Sequence, residues 1–155
     1  MSEAKKILIL LGSPRKKGNS TALAGQIAKG AESAGAEVET IYLNGLEIKP
    51  CQGCYACKKE NAKGCVVDDG MQSLYPKVAA SDVLVIATPV YWFNMTAQTK
   101  IFMDRLFGMF DASFTVNPLY KKKIAIAMSY GDTDPFNSGC VNALRSFQDA
   151  FRYVG

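Results

Sequence analysis

Apolar and polar residues follow one another along this chain in blocks whose spacing predicts alternating strands and helices. Unbroken apolar runs are typical of strands buried on both faces of a sheet, and apolar residues three and four positions apart are typical of helices. The pattern predicts strands over residues 5–11, 37–43, 82–88 and 122–129, helices over 20–34, 96–109 and 137–152, and a short helix with Met71, Leu74, Tyr75 and Val78, capped by Asp68 or Asp69. Strands that alternate with helices predict one doubly wound α/β domain with a parallel sheet and helices on both faces.

The connections between these elements indicate where a ligand would bind. In doubly wound sheets, ligands lie outside the carboxyl ends of the strands, which makes the loops after residues 11, 88 and 129 the candidate functional segments. The strand over residues 82–88 is expected to end at Pro89. A cysteine-rich loop over residues 50–66 is expected to hold no regular structure.

Charge and composition exclude several classes of function. The 155 residues carry 18 Lys and Arg against 14 Asp and Glu, a net charge of +4 that is too small to indicate a nucleic-acid partner. Because the chain has no histidine, Ser-His-Asp and Cys-His catalysis and His-ligated zinc hydrolysis each lack their central residue. The sequence contains no run of 18 apolar residues that could span a membrane, and its N-terminal apolar run is too short for a signal peptide. We therefore expect a cytoplasmic protein.

The loop over residues 12–21, GSPRKKGNST, joins the first strand to the first helix and has the composition of an anion site. Backbone N–H groups at a helix start attract phosphate, and hydroxyl, amide and guanidinium groups add donors. The segment matches neither the dinucleotide fingerprint nor the nucleoside triphosphate loop, so a monophosphate cofactor fits it better. The alternative is an ordinary capped loop with solvated lysines.

Three consecutive aromatic residues, Tyr91, Trp92 and Phe93, follow the strand over residues 82–88, where a loop is normally polar. Consecutive residues of a loop cannot all point inward, which indicates that some of these rings contact a partner. A planar aromatic cofactor would supply that partner, and the alternative is that the rings fill the core or a dimer contact.

These two segments resemble the flavodoxin-like NAD(P)H-dependent FMN reductases, a family that includes the iron-sulfur flavoproteins. The similarity lies in GSPRKKGNST and in TPVYWFNMTAQTKIFMDRL over residues 88–106, and it extends from Ile7 to about Phe151. The resemblance implies a flavodoxin-like sheet of order 2-1-3-4-5 and a bound FMN. It implies phosphate contacts from Ser13, Arg15, Asn19, Ser20 and Thr21, and flavin-ring contacts from Pro89, Val90, Tyr91, Trp92, Phe93 and Asn94, with Ser129 and Gly131 of the third loop near the ring. Lys100, Asp104 and Arg105 are expected to hold helix, loop or subunit contacts.

Four of the five cysteines, Cys51, Cys54, Cys57 and Cys65, lie within 15 residues with the spacing C-x2-C-x2-C-x7-C. Three cysteines at two-residue gaps with a fourth nearby can ligate a cubane cluster, whereas zinc sites more often use separated pairs. The resemblance to iron-sulfur flavoproteins implies a 4Fe-4S centre that exchanges electrons with FMN. The alternative is a loop that keeps its cysteines without a cluster. Lys58, Lys59 and Lys63 are expected to be solvated, and Cys140 to be a small buried hydrophobic residue.

The combined interpretation is an FMN-dependent oxidoreductase that transfers electrons between NAD(P)H or a one-electron carrier, such as a ferredoxin-like protein, and an acceptor. The alternatives are a cluster-free FMN or quinone reductase, a flavodoxin-type carrier without turnover, and a flavin-free binding module. The family resemblance implies a homodimer or homotetramer, while the charge and the lengths of the apolar runs indicate no nucleic-acid partner and no membrane. The chain is interpreted as a single FMN-binding domain over residues 1–155 that lacks the family's last strand and helix. The strand over 122–129 is therefore expected to be an open sheet edge that another subunit covers.

Overall fold

The computed structural model describes residues 3–115 and 117–155, and a parallel sheet lies at its centre. The strands are β1 (Lys6–Leu11), β2 (Glu37–Tyr42), β3 (Val83–Tyr91), β4 (Asn94–Met95) and β5 (Lys123–Ser129). The four parallel strands have the order β2-β1-β3-β5, which confirms the flavodoxin-like α/β fold and the predicted order of its first four strands. Within the described residues β5 pairs only with β3, so the expected open edge is confirmed.

The aromatic segment forms a hairpin rather than the loop expected from its sequence. β3 does not end at Pro89 but continues to Tyr91, and the chain turns at Trp92 and Phe93 and returns as β4. Val90 pairs with Met95 and Tyr91 with Asn94, in antiparallel register. The expectation was wrong because proline removes only its own ladder donor and is tolerated where a strand leaves a sheet.

The helices are α1 (Asn19–Ser33), α2 (Met71–Ala80), α3 (Ala97–Arg105) and α4 (Cys140–Tyr153), joined by 3-10 turns at Leu43–Gly45, Ala56–Lys58 and Leu106–Met109. The cysteine loop thus holds one short helical turn, where none was expected. α3 ends as an α-helix at Arg105 and continues as a 3-10 turn to Met109. α4 begins three residues later than predicted because Gly139 has a positive φ of 77°, which a right-handed helix does not contain.

Alternate residues of the central strands pack on opposite faces of the sheet. Ile9, Val85 and Ala127 pack with Ala24 of α1 on one face. The larger cluster lies on the other face of the sheet. It contains the strand residues Leu8, Leu10, Leu84 and Ile86 together with Val78 of α2, Phe102 of α3 and Phe147 of α4. The two layers hold the carboxyl ends of β1, β3 and β5 side by side. No helix within the described ranges is long and apolar enough to cross a membrane.

Candidate functional site

The loop after β1 is held in shape by hydrogen bonds among its own residues. Ser13 is buried, and its Oγ accepts a hydrogen bond from the N–H of Arg15 at 3.0 Å. The carbonyl oxygen of Arg15 accepts from the N–H of Gly18 at 3.1 Å and from Thr21 Oγ1 at 3.3 Å. These contacts hold the loop over the start of α1 and leave the Arg15 and Asn19 side chains exposed.

One atom at the start of α1 fits an anionic ligand. Ser20 Oγ is buried and has no hydrogen-bond partner among the described residues. A buried hydroxyl without a partner is costly, and here it lies in the first turn of a 15-residue helix with no acidic residue in that turn. The positive end of the helix dipole and the free N–H groups there favour a phosphate. The residues present therefore fit the FMN phosphate that the family resemblance implies.

The hairpin after β3 projects its aromatic side chains toward solvent. Trp92 is 93% exposed, Phe93 54% and Tyr91 40%. Both turn residues have positive φ, 48° for Trp92 and 65° for Phe93. Left-handed backbone at a bulky residue costs on the order of 1 kcal/mol or more and clusters at functional sites. Exposed aromatic rings on a turn with a strained backbone fit a planar ligand at this position.

The start of α4 packs against the same hairpin. A Cβ on Gly139 would lie 2.4 Å from Phe93 Cα, so only glycine permits this approach. Asn142 Nδ2 donates to the Phe93 carbonyl at 3.4 Å. The strained turn is therefore held from two sides, by β4 pairing and by α4.

Three buried threonines join the phosphate loop to the hairpin, and they are not among the residues predicted from the sequence. Thr96, which caps α3, donates from Oγ1 to the carbonyl oxygen of Gly12 at 2.6 Å. Its Oγ1 lies 2.9 Å from Thr99 Oγ1, and its N–H donates to Thr88 Oγ1 at 3.3 Å. The available signal was the threonine that precedes a helix, a common N-cap, but nothing local points to Gly12, which is 84 residues away.

The third loop lies after β5, as expected from the strand order. Ser129 ends β5 and is half-buried, and Gly131 is exposed with open space around it. Asp132 accepts hydrogen bonds from the N–H of Asp134 and from Thr133, and these bonds lower its pKa. Its place beside the other two loops agrees with a flavin-proximal role, which remains a prediction.

The four cysteines of the loop line one cavity of about 370 Å³ between the loop and the end of α3. All four are free, Cys51 and Cys54 exposed and Cys57 and Cys65 half-buried. Burial raises the pKa of the Cys57 thiol, Lys58 partly offsets this, and Cys65 and Cys54 raise it further. Within the part of the chain described, no three His, Cys, Asp or Glu side chains are arranged as a metal site. The donor set therefore fits a cluster by residue type and by its common cavity, but the described residues do not group three of these side chains as metal ligands.

A buried ion pair fixes both ends of the cysteine loop. Arg105, at the end of α3, donates through Nη1 to the carbonyl of Lys49 at 2.7 Å and through Nη2 to that of Val67 at 3.4 Å. It pairs with Asp69 at 2.5 Å, and both side chains are almost fully buried. Burial alone would raise the pKa of Asp69, but the bonds from Arg105 and from the N–H groups of Lys49 and Met71 lower it. The N-cap of α2 is Gly70 rather than Asp68 or Asp69, and Asp69, one residue earlier, accepts from the N–H of Met71, the first residue of the helix.

The side chain of Lys58 was expected to be solvated, but it binds backbone carbonyls of the protein instead. Its Nζ donates to the carbonyls of Phe107 at 2.7 Å and Phe110 at 2.5 Å, and it lies 4.2 Å from the centre of the Phe107 ring. The error arose because the acceptors lie in and just after the 3-10 turn that follows α3, about 50 residues further along the chain. Lys59 and Lys63 are exposed, as expected, and Cys140 is buried as expected. Arg105 makes the predicted loop contact, while Lys100 and Asp104 form a surface ion pair.

The fold and these loops define a flavodoxin-like α/β protein with a loop suited to an anion and an aromatic hairpin at the carboxyl edge of its sheet. Residues 5–154 match the family model of the NADPH-dependent FMN reductases, and the chain belongs to this family. It is therefore a member of a family of flavin-dependent oxidoreductases.

Curated relatives agree with this assignment. An iron-sulfur flavoprotein of Methanosarcina thermophila is 33% identical over 144 residues, which are 93% of this chain and 71% of that protein. An iron-sulfur flavoprotein of Archaeoglobus fulgidus is 43% identical over 98 residues, which are 63% of this chain but only 43% of that protein. This chain thus matches 71% of the length of the first relative and 43% of the length of the second.

Solved structures show the same fold. RosB, crystallised with 8-demethyl-8-formylriboflavin-5'-phosphate, superposes with a TM-score of 0.75 at 23% identity, over 98% of this chain and 60% of that one. The NAD(P)H:quinone oxidoreductase from Methanothermobacter marburgensis has a TM-score of 0.73 at 18% identity, over 99% of this chain and 80% of that one. At these identities the similarity is one of fold.

Proposed function

We propose that this chain is a single flavin-binding domain that binds FMN between the phosphate loop and the aromatic hairpin and uses it to oxidise NAD(P)H. The observation that carries the proposal is that two features follow the neighbouring strands β1 and β3: a Ser20 hydroxyl buried without a partner among the described residues, and exposed rings on a strained backbone turn. When bound, FMN supplies the redox chemistry, since it accepts a hydride and releases electrons singly or in pairs.

The residues of this chain bind and orient the cofactor. The hydroxyls of Ser20 and Thr21, the amide of Asn19 and the N-terminal N–H groups of α1 bind the phosphate, and Arg15 adds a charge-assisted bond. Pro89, Val90 and Asn94 lie beside the ring, where Tyr91, Trp92 and Phe93 exclude water from it. A second subunit of a homodimer or homotetramer would pack on the exposed part of these rings. We place the protein in the cytoplasm and assign it no membrane or nucleic-acid partner.

The single tryptophan of the chain makes flavin binding directly measurable, because Trp92 is itself in the hairpin. We expect FMN to quench Trp92 fluorescence on binding. Arg15→Gln is expected to weaken FMN binding about tenfold and to leave riboflavin binding unchanged, because riboflavin lacks the phosphate. Fluorescence titration of both flavins checks this.

The matched control is Lys29→Gln, which removes an exposed cation from α1 away from its N-terminus. Its FMN affinity should equal that of the wild type. Anaerobic NADH or NADPH should then bleach the absorbance of bound FMN. A protein that takes up no flavin would contradict the proposal, and bound flavin that neither nucleotide reduces would favour a flavodoxin-type carrier.

We further propose that Cys51, Cys54, Cys57 and Cys65 of the cysteine loop would ligate a 4Fe-4S cluster, which when bound would supply one-electron transfer toward a ferredoxin-like carrier. This is supported by the common cavity that the four thiols line and by the similarity to proteins named iron-sulfur flavoproteins. The loop has to close around the irons, because the thiols of the described residues do not converge as they stand.

Protein purified without oxygen is expected to contain about four irons and four sulfides per chain. Cys57→Ser should lose most of this iron and keep its FMN, because a hydroxyl ligates iron poorly. Cys140→Ala, which changes a buried thiol in α4, should keep both. Intact FMN without iron in the wild type would instead favour the cluster-free reductase.

A further inference from the structure

We propose that Thr96 is the positioning residue of the flavin site, an inference that rests on the proposed FMN binding. Its hydroxyl fixes the phosphate loop and the aromatic hairpin at one separation. The two ends of FMN, phosphate and ring, are then bound by a single rigid unit.

The hydrogen-bond directions at Thr96 follow from its one hydroxyl proton. The 2.6 Å contact to Gly12 has a carbonyl as its other partner, so the Thr96 hydroxyl must donate there. It therefore accepts from the Thr99 hydroxyl at 2.9 Å and from the Thr99 N–H at 3.3 Å. Thr88 Oγ1 lies 3.4 Å from the same oxygen, and the Thr96 side chain is fully buried. The one hydroxyl proton of Thr96 is thus committed to the Gly12 carbonyl.

Capping α3 alone would not require this arrangement. An N-cap hydroxyl has only to accept from the N–H three residues on, which Thr96 does with Thr99. The additional bond to Gly12 spans 84 positions of sequence and reaches the first residue of the phosphate loop. Thr96 also directly follows Met95, the last residue of the hairpin. The same side chain therefore touches the origin of the loop and lies at the exit of the hairpin.

The neighbouring contacts make the link stiff. Gly12 is pressed against this group so closely that a Cβ there would lie 1.9 Å from Thr99 Oγ1. Thr88 accepts from the Thr96 N–H at 3.3 Å and donates to the Pro89 carbonyl at 3.0 Å, which attaches the outgoing strand of the hairpin. A ligand that contacts both segments gains affinity from this rigidity, because less ordering is left to the moment of binding.

The test compares FMN with riboflavin, since they share the ring and differ in the phosphate. We expect Thr96→Val to reduce the preference for FMN over riboflavin about tenfold while riboflavin affinity stays close to that of the wild type. Thr96→Ser, which retains the hydroxyl, should restore the preference. Thr40→Val, an exposed threonine of β2, is the matched control and should behave as the wild type. Trp92 quenching measures all affinities, and urea unfolding reports stability in parallel.

The outcomes separate this inference from the proposed function. An unchanged FMN preference in a folded Thr96→Val protein, or an equal loss of affinity for both flavins, would overturn the positioning role. If Thr96→Val does not fold, Thr96→Cys replaces it in the same comparison of flavins. A thiol is small enough for the site but is only a weak hydrogen-bond donor. Wild-type protein that binds neither flavin would overturn the proposed function and this inference with it.

Discussion

Replacement of Arg105 by methionine is expected to lower the free energy of unfolding by about 3–5 kcal/mol, because it leaves Asp69 as a buried, unpaired carboxylate. It also removes the donors to the Lys49 and Val67 carbonyls, so both ends of the cysteine loop lose their hydrogen bonds to α3. Urea unfolding followed by circular dichroism measures the stability. Iron content of anaerobically purified protein reports the loop, and it should fall in this variant.

The matched control is Arg145→Met, whose partner Asp149 lies one helical turn away on the exposed face of α4. Exposed pairs contribute at most about 1 kcal/mol, so the control should lose little. Adding Asp69→Asn to Arg105→Met should restore part of the stability, because the unpaired charge is gone. Equal losses from Arg105→Met and Arg145→Met would refute the role assigned to the buried pair.

The pH dependence gives the same pair an independent check. The pKa of Asp69 is lowered in the folded protein from its usual value of 3.8, so its stabilisation is complete above that pH and is lost as pH falls through the folded pKa. In Arg105→Met, burial without a partner raises the pKa of Asp69, and protonation then stabilises the fold. The stability difference between wild type and variant should therefore narrow on acidification, and a constant difference would contradict this account.

Replacement of Gly12 by alanine is expected to destabilise the protein by about 1–3 kcal/mol, because the new Cβ would lie 1.9 Å from Thr99 Oγ1. The Ala87 carbonyl and Thr88 Cβ, each 3.3 Å from that Cβ, leave it little room to shift. The carbonyl of Gly12 that Thr96 holds would be displaced, so FMN affinity should fall as well. Urea unfolding and FMN titration check both effects.

The control for this substitution has the opposite expected sign. Gly25 lies within α1, and a Cβ added there would have no neighbouring atom within 4 Å among the described residues. Gly25→Ala should therefore stabilise the protein by about 0.5–1 kcal/mol through helix propensity. If Gly12→Ala were as well tolerated as Gly25→Ala, the close packing of the phosphate loop on α3 would not exist in solution.

The sequence by itself determined the four parallel strands, the four helices and their order, but not the short strand β4. Strand β3 shows why: residues 83–87 are apolar without interruption and lie in the middle of the sheet, so local composition and buried environment agree. The phosphate loop and the cysteine loop could be located in the same way, because glycine, hydroxyl and cysteine spacing are local properties of the chain. The bounds of α3 and α4 were less accurate. α3 changes to a 3-10 turn after Arg105, and the positive φ of Gly139 delays the start of α4.

Only the tertiary structure decided how these segments are joined. Trp92 and Phe93 adopt positive φ because β4 and α4 hold the turn, which no local preference of aromatic residues predicts. Arg105 reaches carbonyls on both sides of the cysteine loop, and Thr96 reaches Gly12, across 38 to 84 positions of sequence. Hydrophobic periodicity reports only what each segment buries, whereas a single hydrogen bond between distant segments depends on where packing has placed their backbones.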